Sequence, residues 1–446
     1  MSGTLVRTAY SWLLRLGTPL YMARLWWRGR KEPLYRAHLR ERLGGLGRAR
    51  DKGSNKGGNK GGNKGRDQNG DEGRVWVHAV SLGETRAAGA LIQALRRQRP
   101  ELRLLLTHST ATGRAAGTDL LRAGDDQAWL PYDTPGAVRR FLLQHNPAVG
   151  VLMETEVWPN LLLEARSAGV PMVLANARLS ERSLKKGLRL KILLRPAVAS
   201  LLRVLAQTDA DARRLRQMGG NPVQVVGNMK FDVTPNARLV ARGLEWRQAL
   251  NRNVVLAAST REGEEDAILQ AWSTLQAPRP LLLIVPRHPN RFEVVADGVP
   301  TYGLSVERRS TWTDKPPAEA MDADVWIGDS VGEMPMYYGM SDVALLGGSF
   351  APLGGHNLIE AAACGCPLVM GPHTFNFAEA AELSLSAGAS LRVGTAAEGV
   401  HRAVLLAGDP RRNDWVQRSF DFAAQHRGAA DRIADEVMAL LRMQGL

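Results

Sequence analysis

The sequence predicts an α/β protein: two doubly wound parallel-sheet domains facing a cleft, with an N-terminal membrane-associated helix. Three observations predict it. Short apolar runs alternate with helix-length stretches from residue 75 onward, a pattern that indicates parallel strands covered on both faces. The alternation breaks once, at VVGNMKFDVTPNARLV, which marks an interdomain linker near residues 230–240. An apolar, aromatic stretch with a basic flank stands at the N-terminus. At 446 residues the chain has room for two or three well-buried cores.

In chain order, residues 1–49 come first. AYSWLLRLGTPLYMARLWW (9–27) is interrupted by Arg15, Gly17, Pro19 and Arg24 and followed by RGRK. Residues 1–50 hold eleven Lys/Arg against Glu32 and Glu41, a net +9 out of +14 for the whole chain. Nucleic acid and anionic lipid both attract such a patch. The adjoining apolar stretch favours lipid, with the helix lying in the interface or spanning it, over an ordinary helix packed on the first domain. No small-x-small cleavage site follows, so a removed leader is not expected. Residues 50–74, RDKGSNKGGNKGGNKGRDQNGDEGR, carry an Asn-Lys-Gly-Gly repeat and no large apolar residue, which predicts a disordered insertion.

The first domain, 75–235, contains VWVHAV, RLLLTHST, QAWLPYD, AVGVLMET, PMVLANA and RVLAQT as strands. The second, 236–446, contains NVVLAAST, RPLLLIVPR, ADVWIGD, DVALLGG, PLVMGP and SLRVG. In open parallel sheets ligands bind beyond the carboxyl ends of the strands, so residues directly after these runs are the candidates. No G-x-G-x-x-G fingerprint, Walker loop or metal-ligand spacing occurs, which counts against nicotinamide chemistry, ATP hydrolysis and a metal centre. Cys364 and Cys366 read as small reduced core residues.

In VSLGET a carboxylate, Glu84, occupies a glycine turn opening a helix, where free N–H groups and the dipole favour an anion. Those donors are expected to keep Glu84 ionised and able to take a hydroxyl proton. Glu154 and Glu156 in METEVWPN precede another helix, either as functional groups or as favourable charges at its start. Lys230 in GNMKFD is either a cation for a leaving phosphate or sugar carboxylate, or an exposed linker lysine. In the second domain LLGGSF and GGHNLIEAAACG allow close backbone approach and aim N–H donors at a phosphate, the alternative being turns alone. Glu360 lies one turn inside, within reach of ribose hydroxyls, or is simply solvated. Pro286, Arg287 and His288 follow another strand: Arg287 suits bidentate phosphate pairing or a surface ion pair, and His288 suits either a ligand or a structural role. The Val331-Gly332-Glu333 turn can offer main-chain groups to a nucleobase. Together these parts imply a nucleotide-sugar reaction with a hydroxyl acceptor.

The segments LWWRGRKEPLYRAHLRERLG, HAVSLGE, LPYDTPGAVRRFL, METEVWPN, ANARLSERS, VVGNMKFD, STREGEE, VPRHPNRF, GDSVGEM and GGSFAPLGGHNLIEAAACGCPLVMGPHTFNF, in this order, resemble the bacterial 3-deoxy-D-manno-octulosonic acid (Kdo) transferases. That resemblance implies a GT-B glycosyltransferase of two Rossmann-like domains. It implies transfer of Kdo from CMP-Kdo to a lipid A precursor at the cytoplasmic face of the inner membrane. Residues 75–235 would bind the acceptor and 236–446 the CMP-sugar. It implies Glu84 as general base and Glu154 and Lys230 as transition-state stabilisers. Pro286, Arg287, Val331, Gly332, Glu333, Asn357, Leu358, Ile359 and Glu360 would be CMP contacts. CMP-Kdo, the lipid A precursor and anionic inner-membrane lipid are the expected partners, with no nucleic acid, metal or cofactor. Leu82 stands where Val is common in the base motif, which leaves Glu84 in place. The runner-up expectations are a GT-B enzyme using a UDP-sugar and a non-catalytic membrane-bound nucleotide- or nucleic-acid-binding module. A basic groove interleaved with aromatics, which the last would need, is not evident.

Overall fold

The computed structural model describes residues 3–45 and 73–445, which form two compact units. The Asn-Lys-Gly-Gly repeat expected to be disordered lies outside the described residues; Arg74, at its end, opens the first strand.

The first unit runs through Asp232 and takes up the chain again from Gly428. Its strands are β1 (Arg74–His78), β2 (Leu104–His108), β3 (Asp126–Trp129), β4 (Pro147–Met153), β5 (Met172–Ala177), β6 (Arg203–Ala206) and β7 (Val223–Val225), ordered β3-β2-β1-β4-β5-β6-β7 and all parallel. β2, β4 and β5 are buried at every residue, because helices cover both faces of the sheet and leave no polar side to alternate with. At the centre Val75, Trp76 and Val77 pair with Leu104, Leu105 and Leu106 on one side and with Val149, Gly150 and Val151 on the other. Gly150 is required there: a Cβ would come within 2.6 Å of the Met172 side chain and 2.9 Å of Trp76.

The second unit, Val233–Arg427, holds β8 (Val254–Thr260), β9 (Leu281–Pro286), β10 (Val306–Arg308), β11 (Val325–Ile327), β12 (Val343–Leu346), β13 (Leu368–Met370) and β14 (Ser390–Arg392). The order is β10-β11-β9-β8-β12-β13-β14, again all parallel, so chain progression reverses between β8 and β12. Val255, Ala257, Leu282, Ile284, Ile327 and Leu345 fill one face of the core.

Each sheet has one strand beyond the six expected, β7 (VQV) and β10 (VER). Both are three-residue edge strands with no buried residue, so neither carries an apolar run for sequence reading to detect. The expectation that the second domain extends to residue 446 is corrected. The helix Ala429–Met443 packs on the helix Leu82–Gln98, and its Ile433, Val437 and Leu441 share a core with Val75, Leu91 and Leu104. Asp232 fixes the crossing point by accepting from the N–H groups of Gly428 (2.5 Å) and Ala430 (2.6 Å).

Nor do the described residues of 1–49 stand apart. The helix Gly3–Arg28 runs unbroken through Gly17 and Pro19 and docks on the first unit. Arg7 pairs with Glu164 (2.5 Å) and donates to Asn160 (2.9 Å), and the Tyr10 hydroxyl donates to Asp133 (2.9 Å). Further on, the Glu41 carboxylate is buried against Arg114 and the Trp129 N–H, while Tyr35 stacks on the Trp129 ring. No helix among the described residues is long and apolar enough to cross a membrane. The outer face of Gly3–Arg28 nonetheless exposes Trp12, Leu13, Leu16, Leu20, Trp26 and Trp27.

Candidate active site

In the first unit three carboxylates gather at the carboxyl edge of neighbouring strands β1 and β4. Glu84 follows β1 on the first turn of Leu82–Gln98. Ser81 caps that helix, its Oγ accepting from the Glu84 N–H at 3.4 Å. The Glu84 side chain folds back, Oε2 accepting from the Val80 N–H (2.9 Å) and Oε1 from the Ser81 hydroxyl (3.0 Å). This is the reciprocal arrangement of a capping box, which uses two of the carboxylate's lone pairs and leaves others for a substrate proton.

The turn's donors favour the ionised form of Glu84, as expected, but they do not set its pKa alone. Half-burial raises its pKa, and the nearby Glu154 charge adds to the rise, against the opposing hydrogen bonds from Val80 and Ser81. Desolvation outweighs the helix terminus here, which makes Glu84 a stronger base than an exposed carboxylate.

Glu154 follows β4 in a left-handed conformation (φ 59°), uncommon for a residue with a side chain and sustained by its N–H donating to Ala175 O at 2.9 Å. Two residues on, Glu156 accepts from Trp158 Nε1 (2.7 Å) and is pushed up to about 7 by burial, with Glu84 and Glu154 contributing. Its Oε2 lies 3.9 Å from Nε2 of His78, the fully buried last residue of β1. Lys230 sits in the turn Met229–Phe231, which packs against Leu82–Gln98. That turn is tied to the end of β5 by the Met229 N–H donating to Asn176 Oδ1 at 3.1 Å. Thus Glu84, Glu154 and Lys230 share one edge of one sheet.

In the second unit the candidates follow β9, β11 and β12, which with β8 form four consecutive strands. Pro286 ends β9, and the Arg287 N–H donates to Thr260 O at 2.9 Å, leaving the guanidinium exposed. Gly332 adopts φ 90° at the tip of its turn, with Val331 82% exposed. Glu333 has structural work: it pairs with Arg309 (3.0 Å) and accepts from the Ser330 and Tyr337 hydroxyls. Asn357 caps the helix Leu358–Ala363, its Oδ1 accepting from the Ile359 N–H at 3.1 Å. Leu358 and Ile359 are core side chains, so only their main chain is available to a ligand. Glu360 is half-buried, and its charge raises the Tyr338 hydroxyl and the Cys364 thiol further above their burial-driven rise, Cys364 to about 12. Both cysteines are free and buried.

The glycine turn after β12 is not an open phosphate cradle, which corrects that expectation. The buried Glu264 carboxylate fills it, accepting from the N–H groups of Gly348 (2.7 Å), Phe350 (3.0 Å) and Ala351 (3.2 Å), and from Arg261 N–H at 2.9 Å. Gly347 serves backbone approach, since a Cβ there would meet Ser259 O at 2.3 Å. Positive charge instead collects around His356, which burial and the neighbouring Arg287, Arg261 and His288 push down to about 4.

The family profile described as "3-Deoxy-D-manno-octulosonic-acid transferase (kdotransferase)" matches residues 37–233. A 3-deoxy-D-manno-octulosonic acid transferase of Bordetella pertussis is 50% identical over 373 residues, covering 81% of this chain and 86% of that one. One of Haemophilus influenzae is 33% identical over 439 residues, covering 96% and 97%. The chain belongs to the Kdo transferase family. It is therefore a glycosyltransferase. A glycosyltransferase of Rickettsia africae ESF-5 superposes with a TM-score of 0.53 at 13% identity, covering 83% of this chain and 98% of that one. That likeness speaks to the fold alone, two parallel-sheet units of the GT-B kind.

For a Kdo transferase the first unit's edge offers proton-accepting carboxylates and the second unit's edge offers cationic groups. Sequence reasoning passed over Arg261 and His356 in the second unit and His78 in the first. Arg261 directly follows β8, so the rule that singled out Arg287 after β9 applies to it equally. His78 is a polar residue inside the apolar run VWVHAV, a signal left unused. Glu264 carries no such signal, since only tertiary contact shows which N–H groups it satisfies.

Proposed function

We propose that this chain transfers Kdo from CMP-Kdo to a sugar hydroxyl of a lipid A precursor, lipid IVA, by one inverting displacement. Glu84 takes the hydroxyl proton, the freed oxygen attacks the anomeric carbon, and CMP departs as a phosphate monoester anion that needs little protonation. Glu154 and Lys230 stabilise the charge that develops. The observation that carries this reading is the anchored Glu84 carboxylate, fixed by Val80 and Ser81 and made more basic by burial beside Glu154.

The second unit binds the nucleotide. Arg287, with Arg261 and His356 beside it, takes the phosphate in place of the occupied glycine turn, since guanidinium groups pair bidentately with its oxygens. Pro286, the main chain of Val331, Gly332 and Glu333, and that of Asn357, Leu358 and Ile359 surround the cytidine, while Glu360 accepts from the ribose hydroxyls. No metal or cofactor is required by this chemistry.

The apolar face of Gly3–Arg28, with Arg15, Arg24 and Arg28 on the same helix, rests on anionic lipid of the inner membrane's cytoplasmic face, where the acceptor lies. Incubation with CMP-Kdo and lipid IVA, followed by mass spectrometry of the lipid, tests the reading. Mass increments of whole Kdo residues are expected. Transfer from a UDP-sugar with none from CMP-Kdo would refute it.

A further inference from the structure

His78 is fully buried at the end of β1, and its ring geometry assigns its proton. Nδ1 lies 3.1 Å from the Thr107 carbonyl oxygen, which can only accept; Thr107 Oγ1, at 3.0 Å, can donate or accept and so leaves the carbonyl to decide. Nδ1 is therefore the protonated nitrogen, and Nε2 presents a bare lone pair. Buried Nε2 has no hydrogen-bond partner. The acidic group facing it is Glu156, with Oε2 at 3.9 Å. An ionised Glu156 would set lone pair against lone pair at the buried Nε2, whereas a carboxylic acid has the missing donor. The same oxygen accepts from Trp158 Nε1 at 2.7 Å, which a carboxyl hydroxyl does on a lone pair while donating its hydrogen elsewhere.

We propose that Glu156 is a positioning residue held as a neutral carboxylic acid, its hydroxyl directed at the lone pair of His78 Nε2 and closing the 3.9 Å gap to a hydrogen bond, so that Glu84 is the member of the carboxylate edge free to ionise. The pair would tie the segment Glu154–Trp158 to β1 and remove one negative charge from the neighbourhood of the base. Charged groups around it agree. Glu84 on the helix after β1 and Glu154 on its own segment both disfavour a further anion there. Burial, and after it His108 at the end of β2, holds the His78 ring down to about 3 and disfavours its cationic form. Lys230 lies on the turn beside the Glu84 helix. Burial, the larger cause, puts the Glu156 proton at about 7, so the pair is intact below that pH and opens above it.

The inference rests on the transferase reading only for its kinetic consequence, and the test has one arm independent of that reading. In the full chain with 15N-labelled histidine, His78 Nε2 should resonate as an unprotonated, hydrogen-bond-accepting nitrogen at pH 6. It should shift toward the free-acceptor position as pH rises through about 7, and stay fixed in Glu156→Gln, whose amide supplies a permanent donor. A protonated Nε2, or a signal indifferent to both pH and E156Q, overturns the proposal. In the kinetic arm E156Q should keep kcat at pH 6.5 within about threefold while losing the alkaline decline expected of the unaltered enzyme. A loss of roughly a hundredfold in folded E156Q, of the size general acid–base groups contribute, would show that Glu156 works ionised and would equally overturn it. Absence of Kdo transfer by the unaltered chain would sink the transferase reading and leave the spectroscopic arm to decide on the pair.

Discussion

The Glu264 carboxylate accepts the Gly348 N–H at 2.7 Å, closing from inside a glycine turn that otherwise has the form of a phosphate cradle. Its other oxygen takes the Phe350 and Ala351 N–H groups, so one buried side chain satisfies the loop after β12. Glu264→Ala should therefore strand several buried donors and destabilise the second unit by about 3 kcal/mol or more, given 1–3 kcal/mol per unsatisfied group. Glu264→Gln should cost less. Chemical denaturation of both variants measures this, and an unchanged midpoint for the alanine variant would refute the structural role.

On the proposed reading, phosphate recognition falls to side chains. Arg287→Ala should weaken CMP binding roughly ten- to a hundredfold, the span of one charge-assisted hydrogen bond, with Arg287→Lys in between. Arg261→Ala should act in the same direction. Calorimetric titration with CMP reads both, and unaltered affinity in Arg287→Ala would remove that residue from the nucleotide site.

Burial raises the Glu84 pKa. A base works deprotonated, so activity should be lost as pH falls through that raised value, with the acidic limb of kcat/KM displaced above the ordinary carboxylate value of about 4.3. Replacing the added charge of its neighbour, by Glu154→Gln, should move the limb back down. A limb at or below the ordinary value in the unaltered enzyme would contradict the desolvation argument.

The N-terminal helix buries Ser11 and Leu25 against the first unit while Leu16 and Leu20 remain 74% and 77% exposed. A double change of Leu16 and Leu20 to Asp should reduce sedimentation with vesicles containing anionic lipid by about tenfold or more, since each removes an apolar side chain that the lipid would cover and adds a repelled charge. CMP affinity should not change. Undiminished vesicle binding would dismiss this face as the lipid contact.

Much of the architecture was legible because a parallel sheet covered on both faces writes itself as continuous apolar runs: VLM before Glu154 and LLLIV before Pro286 each ended at a candidate residue. The edge strands β7 and β10 were not, since Val223–Val225 and Val306–Arg308 bury nothing that composition could reveal. The C-terminal helix was assigned to the wrong unit because its amphipathic pattern says that it packs and not on what; only its contact with Leu91 and Leu104 decides. At the candidate site, the placement of Glu84, Glu154 and Arg287 directly after strands was legible. The upward pull on the Glu84 pKa was not, because helix-terminus chemistry is local while burial depends on the tertiary surroundings, and the charge of Glu154, 70 positions away, adds to it.

The central claim is that Glu84 is the base, and single-turnover transfer from CMP-Kdo to lipid IVA by Glu84→Gln tests it most directly. The amide preserves an acceptor for the Val80 N–H, so the helix start should survive. The account predicts a rate lowered by about a hundredfold to ten-thousandfold with CMP affinity unchanged. Transfer within about threefold of the unaltered rate would contradict it.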